Sequence, residues 1–96
     1  YIGGLVGGSN NNIKNSYAVG EVIVTNGEDG YIGGLIGRLM AGAIATSSYY
    51  DQDTTGQSDT GKGDGKTTAE MKQATTFTDW DTSIWNIIDG SYPTLK

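Results

Sequence analysis

Apolar residues in the first half of the chain come in short bursts cut by glycine. Tyr1-Ile2-Gly3-Gly4-Leu5-Val6-Gly7 opens the chain, and Tyr31-Ile32-Gly33-Gly34-Leu35-Ile36-Gly37 returns thirty positions later. The branched side chains favour an extended backbone, and the glycines allow tight corners and close approach by a neighbouring strand. Each copy therefore predicts two short strands separated by a turn, at Ser9-Asn10-Asn11-Asn12 in the first and Leu39-Met40-Ala41-Gly42 in the second. The second turn is partly apolar, which predicts that something covers it. The match continues more loosely, with Ile13, Ser16 and Tyr17 corresponding to Ile44, Ser48 and Tyr49. A two-residue lengthening between the copies leaves the register of the second one open. The spacing predicts a strand over 17–25, bent at Gly20, and a turn over Asn26-Gly27-Glu28-Asp29-Gly30. Self-similarity at such a period marks stacked repeats. The expected fold class is therefore mainly β: a parallel β-solenoid, β-helix-like, of two coils of about thirty residues (1–30 and 31–50).

From 51 to 66 the apolar pattern disappears, and the sequence predicts a polar, glycine-punctuated surface loop. Beyond it, Thr67 with Glu70 three residues on matches a capping box, so Thr67-Thr68-Ala69-Glu70-Met71-Lys72-Gln73 predicts one short helix. The remainder of 67–96 gathers Phe77, Trp80, Ile84, Trp85, Ile87, Ile88, Tyr92 and Leu95. So much large apolar surface has to pack on something. The expected target is the open end of the last coil, which would otherwise leave strand edges bare, with Phe77, Trp80, Trp85 and Tyr92 forming the cap. Asp89-Gly90 predicts a turn, and Pro93 belongs at an edge or strand start.

Composition sharpens this picture mainly by exclusion. Sixteen glycines stand against one proline among 96 residues, and 35% of the chain is apolar, so any core is thin. The net charge of −5 carries no basic run, which argues against nucleic acid and against an anionic membrane as partners. No apolar stretch approaches the roughly 20 residues that span a bilayer, so membrane insertion is not expected. Neither cysteine nor histidine is present. Disulfides, thiolate chemistry and every Ser-His or Cys-His arrangement are thereby removed, and no catalytic or cofactor-binding residue is expected.

A few motifs carry candidate chemistry. Asp51-Gln52-Asp53-Thr54-Thr55-Gly56 begins like a calcium loop, with Asp59 at the ninth position. The twelfth, where a bidentate glutamate should close the shell, is Lys62. Asp51, Asp53 and Asp59 are thus calcium candidates set against a solvated acidic loop, and no metal is expected. Gly65-Lys66-Thr67 has the end of a phosphate loop, but Thr60 stands where its first glycine belongs. Asp79, Asp81 and Asp89 lie near Trp80 and Trp85, as glycosidase acids lie near aromatics, yet short acids beside an anchoring tryptophan also form turns and caps. Lys62-Gly63-Asp64 is an integrin-type tripeptide that loop composition alone accounts for. The tyrosines at 1, 17, 31, 49, 50 and 92 fit a stacking ladder with wet hydroxyls better than a strip for carbohydrate.

Taken together, Gly4-Leu5-Val6-Gly7, Gly34-Leu35-Ile36-Gly37, Ile13-Lys14-Asn15-Ser16-Tyr17-Ala18, Ser48-Tyr49-Tyr50-Asp51 and the ending Trp85 to Leu95 resemble the GLUG repeat family. Its repeat positions here are Gly3, Gly4, Leu5, Gly7, Gly33, Gly34, Leu35 and Gly37. The resemblance implies a structural or adhesive, non-enzymatic module of a bacterial extracellular or cell-surface protein, forming the capped end of a stalk or fibre. Two coils alone are marginal, so Tyr1 to Gly8 is expected to present an edge that pairs with preceding repeats of the parent chain or with another copy of the chain, end to end or by edge strands, and host or matrix glycan or protein is a further expected partner. The competing expectation is a carbohydrate- or protein-binding module that uses the 51–66 loop with Tyr49 and Tyr50 beside it.

Overall fold

The computed structural model describes residues 1–23 and 31–96, and the turn expected at 26–30 lies outside them, as do the last two residues of the strand expected over 17–25. The first copy folds into four short strands: β1 (Ile2–Gly3), β2 (Val6–Ser9), β3 (Ile13–Lys14) and β4 (Tyr17–Ala18). The second follows with β5 (Ile32–Gly33), β6 (Ile36–Leu39), β7 (Ala45–Thr46) and β8 (Tyr49–Asp51). Each strand of the first copy pairs in parallel with its counterpart, placing Ile2 beside Ile32, Val6 beside Ile36, Ile13 beside Ala45 and Tyr17 beside Tyr49. The offset is thirty residues at β1 and β2 and thirty-two at β3 and β4. The two-residue insertion therefore falls in the turn after Leu39, where Gly42 takes a left-handed conformation (φ +87°), and it shifts Ile13 onto Ala45 rather than Ile44.

After β8 the chain forms α1 (Gln52–Thr55), β9 (Asp64–Lys66), α2 (Thr68–Met71), a single 3-10 turn over Ala74–Phe77, and the antiparallel pair β10 (Trp85–Asn86) and β11 (Thr94–Leu95). α2 carries the reciprocal capping box read from the sequence: Glu70 N donates to Thr67 Oγ1 and Thr67 N to Glu70 Oε1.

This arrangement corrects the expected solenoid. The protein is mainly β with short helices, built from small sheets of two or three strands: β1-β5, β2-β6, β3-β7, β10-β11 and β4-β8-β9. The physical reason lies in the strands themselves. At two to four residues they form short ladders, with β1, β2, β3, β5 and β7 stopping at a glycine, serine or asparagine corner, and two copies give each ladder two strands, β4-β8 gaining β9 as a third. Beyond β8 the chain turns into α1, so the third strand of the largest sheet comes from the polar segment and not from another copy. The strand expected from Tyr17 onward also stops early. Val19 to Ile23 is irregular and leans on α1, with Thr54 Oγ1 donating to Val19 O (2.6 Å) and Val22 N to Thr55 O (3.0 Å).

Two cores result, one on each side of the β4-β8 ladder. Because side chains alternate across a strand, Ala18 and Tyr50 point inward with Leu35, Ile36, Ile13, Leu39 and Ala45. Tyr17 and Tyr49 point the other way, into Met71, Phe77, Trp80, Trp85, Ile87 and Tyr92.

Candidate functional site: an open edge, a sealed face and a buried carboxylate

The repeat glycines are sites of backbone contact. A Cβ on Gly4 would fall on the Gly34 carbonyl oxygen, one on Gly37 on the Gly7 carbonyl oxygen, and one on Gly34 inside the Tyr50 ring. Gly3 and Gly33 each face the carbonyl three residues on, at Val6 and Ile36, and Gly7 packs on the Tyr1 carbonyl. The two copies thus approach more closely than any side chain allows. Leu5 and Leu35, equivalent in sequence, end in opposite environments: Leu35 is fully buried and Leu5 is 49% exposed.

The difference comes from residues 59–63, which lie over the second copy. Lys62 Nζ donates to the carbonyls of Ile32 and Gly37 (both 2.9 Å), Asp59 Oδ1 accepts from Gly34 N (2.9 Å), and the Tyr50 hydroxyl donates to Asp59 O. Gly63, at φ +96°, sits against Leu35 so closely that a Cβ would overlap the Leu35 side chain. Burial and the nearby Asp59 push the Tyr50 hydroxyl up to about 12. Asp59 Oδ2 is buried with no hydrogen-bond partner, 3.7 Å from the Lys62 ammonium. The outer strand edges of the first copy receive no such cover among the described residues, since β1 to β4 each pair only with a strand of the second copy.

The cap residues are brought together, but not over the open end. Trp80 lies 6.0 Å from both Tyr17 and Tyr49, and Tyr17 also meets Trp85 and Tyr92 (both 6.2 Å). Phe77 packs edge-on against Tyr49 at 5.2 Å, and the Trp80 indole nitrogen donates to Ser47 O (2.7 Å). A lid on the last copy would leave Tyr17 of the first untouched. The tail instead runs along the flank and grips one tyrosine from each copy. Ile84, Ile88 and Leu95 of the same tail stay more than half exposed.

The three calcium candidates do not converge on one site: Asp51 and Asp53 both bond to Thr68, and Asp59 is engaged elsewhere. Asp51 is fully buried and caps α1: its Oδ1 accepts from Asp53 N and Thr54 N, Thr68 Oγ1 donates to both oxygens, and the Tyr92 hydroxyl donates to Oδ2 at 2.6 Å. Burial pushes this carboxyl upward, but the hydrogen bonds from Tyr92, Thr68, Thr54 and Asp53 outweigh it and hold the group below its ordinary value. Asp53 Oδ2 accepts from Thr68 N (3.0 Å), and Asp59 lies at the seal described above. No group of three carboxylates converges among the described residues. Asp51 is therefore the hub that ties α1, α2 and the aromatic tail. The Asp-x-x-Thr spacing at 51–54 was the available signal for it, an N-cap motif overlain by the calcium-loop pattern.

The tyrosines divide. Tyr1 and Tyr31 form an edge-on pair at 5.1 Å with the Arg38 guanidinium over them, as a ladder requires. Tyr17, Tyr50 and Tyr92 depart from it, spending their hydroxyls on Pro93 O, Asp59 O and Asp51. Tyr49 and Tyr50 are buried, so neither ring is free to stack on a sugar.

No family model matches the chain, and no solved structure matches it. Among curated proteins, the chain is 44% identical over 99 residues to one named "Putative Gly-rich membrane protein" from Evansella cellulosilytica. The match takes in 96% of this chain and 11% of that protein, so the chain spans about a tenth of its relative's length. That relative is named for a membrane; among the described residues here, no helix is long and apolar enough to cross one.

Proposed function

We propose that the chain is a structural and adhesive, non-enzymatic module of GLUG-repeat type, working at the bacterial cell surface. One observation carries the reading. The two copies pair strand against strand in register, and at Gly3, Gly4 and Gly37 the backbone of one lies directly on that of the other, leaving no room there for a ligand. A face built in this way transmits position from one copy to the next. The relative's membrane designation supports a place in the cell envelope, and the finer assignment to the outer surface rests on the resemblance of Gly4-Leu5-Val6-Gly7 and Gly34-Leu35-Ile36-Gly37 to surface-protein repeats. The test is labelling of intact cells with an antibody raised against the folded chain, paired with attachment assays after deletion of the segment. Surface labelling with reduced attachment is expected. A chain found only inside the cell, or a deletion that leaves attachment unchanged, contradicts the proposal.

A further inference from the structure

The outer edge of the first copy and the outer face of the second differ in a way that assigns a partner to one and denies it to the other. Nature blunts edge strands with charge, proline or cover. The second copy has cover and charge together, in Lys62 and Asp59. Among the described residues the first has neither at β1 and β2: Tyr1 to Ile13 holds no charged residue and no proline, and Ile2 and Leu5 are exposed. What lies bare in the first copy is the counterpart of what is filled in the second.

We infer that the outer edge of β1 and β2 is a docking surface for one further thirty-residue Gly-Leu-x-Gly copy, running parallel to the first and supplied in line with it. This deepens the structural reading above and rests on it. Continuity argues for that occupant. The contact already made between the copies is specified by glycine positions, and the first copy carries the same glycines at the same spacing, so its outer edge fits the same pattern again. A second molecule of this chain fits poorly. Its matching face is closed by residues 59–63, which among the described residues leaves it the first-copy edge. Pairing two identical edges about a two-fold axis makes the strands antiparallel and discards the register that sets glycine against glycine. Association is thus one-sided: one edge receives, and the opposite face terminates.

The experiment places a duplicate of residues 1–30 ahead of Tyr1, the duplicate carrying V6I so that its peptides separate by mass. Hydrogen exchange of residues 3–8 of the original copy is then compared with that of the parent chain. Slowing of about tenfold or more is expected, and G4V in the duplicate should abolish it, because a side chain there strikes the facing carbonyl. Unchanged exchange overturns the inference, and so does slowing that survives G4V. A parent chain that sediments as a dimer with residues 3–8 protected also overturns it, assigning the edge to self-pairing. Residues 33–37 of the parent report separately on the underlying reading. If they exchange as freely as an unstructured peptide, the packing of copy on copy fails, whatever the added segment does.

Discussion

Leu5 and Leu35 occupy the same place in the repeat and differ only in what lies over them, so truncating each to alanine isolates the contribution of the seal. Leu35 is fully buried among Ile36, Tyr50 and Gly63. Leu35→Ala removes three carbons from a filled site and leaves a cavity, a loss of about 3 kcal/mol within the usual 2–5. Leu5 keeps 49% of its surface in water. At about 0.8 kcal/mol per buried methylene, three carbons half-buried give about 1.2 kcal/mol, with no closed cavity to add. A domain of this size has a total stability of about 5–14 kcal/mol, so both variants still fold. Urea unfolding followed by the emission of Trp80 and Trp85 reads both losses directly. In thermal melts, about 4–8 °C per kcal/mol predicts falls of about 12–24 °C for Leu35→Ala and about 5–10 °C for Leu5→Ala. Equal losses with unchanged denaturant slopes would refute the reasoning, since they would mean that residues 59–63 do not shelter the second copy in solution.

Asp51 makes stability sensitive to acid: its carboxyl is held below its unfolded value, so its contribution is present above about pH 4 and is lost as pH falls through the lowered folded value. Tyr92→Phe removes one of the donors and should move the acid-unfolding midpoint upward, as far-ultraviolet circular dichroism would record; an unchanged midpoint counts against the hub. At the other extreme Tyr50, pushed up to about 12, contributes stability that is complete below pH 10 and drains away as pH climbs towards 12. Tyr50→Phe should flatten that decline in an alkaline titration. Gly34→Ala forces a methyl into the Tyr50 ring and should cost upward of about 2 kcal/mol, whereas Gly20→Ala, with open space at the site, should be neutral or stabilise by about 0.5 kcal/mol in the same urea assay. Lys62→Met strips the donor from the Ile32 and Gly37 carbonyls and should convert a monomer into a concentration-dependent, head-to-tail oligomer by sedimentation; a monomer at every concentration would deny that Lys62 guards that face.

The pairing of the copies was legible because Tyr1 to Gly7 and Tyr31 to Gly37 are the same residue at every position but Val6/Ile36, and matching patterns pack best in register. The α2 capping box was legible because it is local, needing only Thr67 and Glu70. What escaped is whatever depends on long-range hydrogen bonding. Residues 51–66 read as a solvated loop because apolar periodicity was the only burial signal, yet Asp51 and Thr55 are buried through polar contacts, and Asp64 to Lys66 becomes a strand by pairing with β8. The destination of the aromatic tail was misjudged for a related reason. Its hydrophobicity demanded a partner, but only the alternation of Tyr49 and Tyr50 across β8 decides that the partner is the flank. The solenoid expectation gave each copy two short strands, whereas each copy breaks into four strands of two to four residues held in small sheets.

The hydrogen bond from Tyr17 to the carbonyl of Pro93 joins positions 76 residues apart. A polypeptide emerges from the ribosome, or from a secretion pore that admits its N-terminal end first, with Tyr17 in the open long before Pro93 arrives. Until then Trp80 and Trp85 are missing too, and the outward ring of Tyr17 has nothing to lie against. The clasp therefore closes after the copies have paired, and a chain interrupted between Asp51 and Trp80 would carry two aligned copies with an oily flank laid bare. Such a nascent chain would present quality-control proteases with a clear mark of incompleteness.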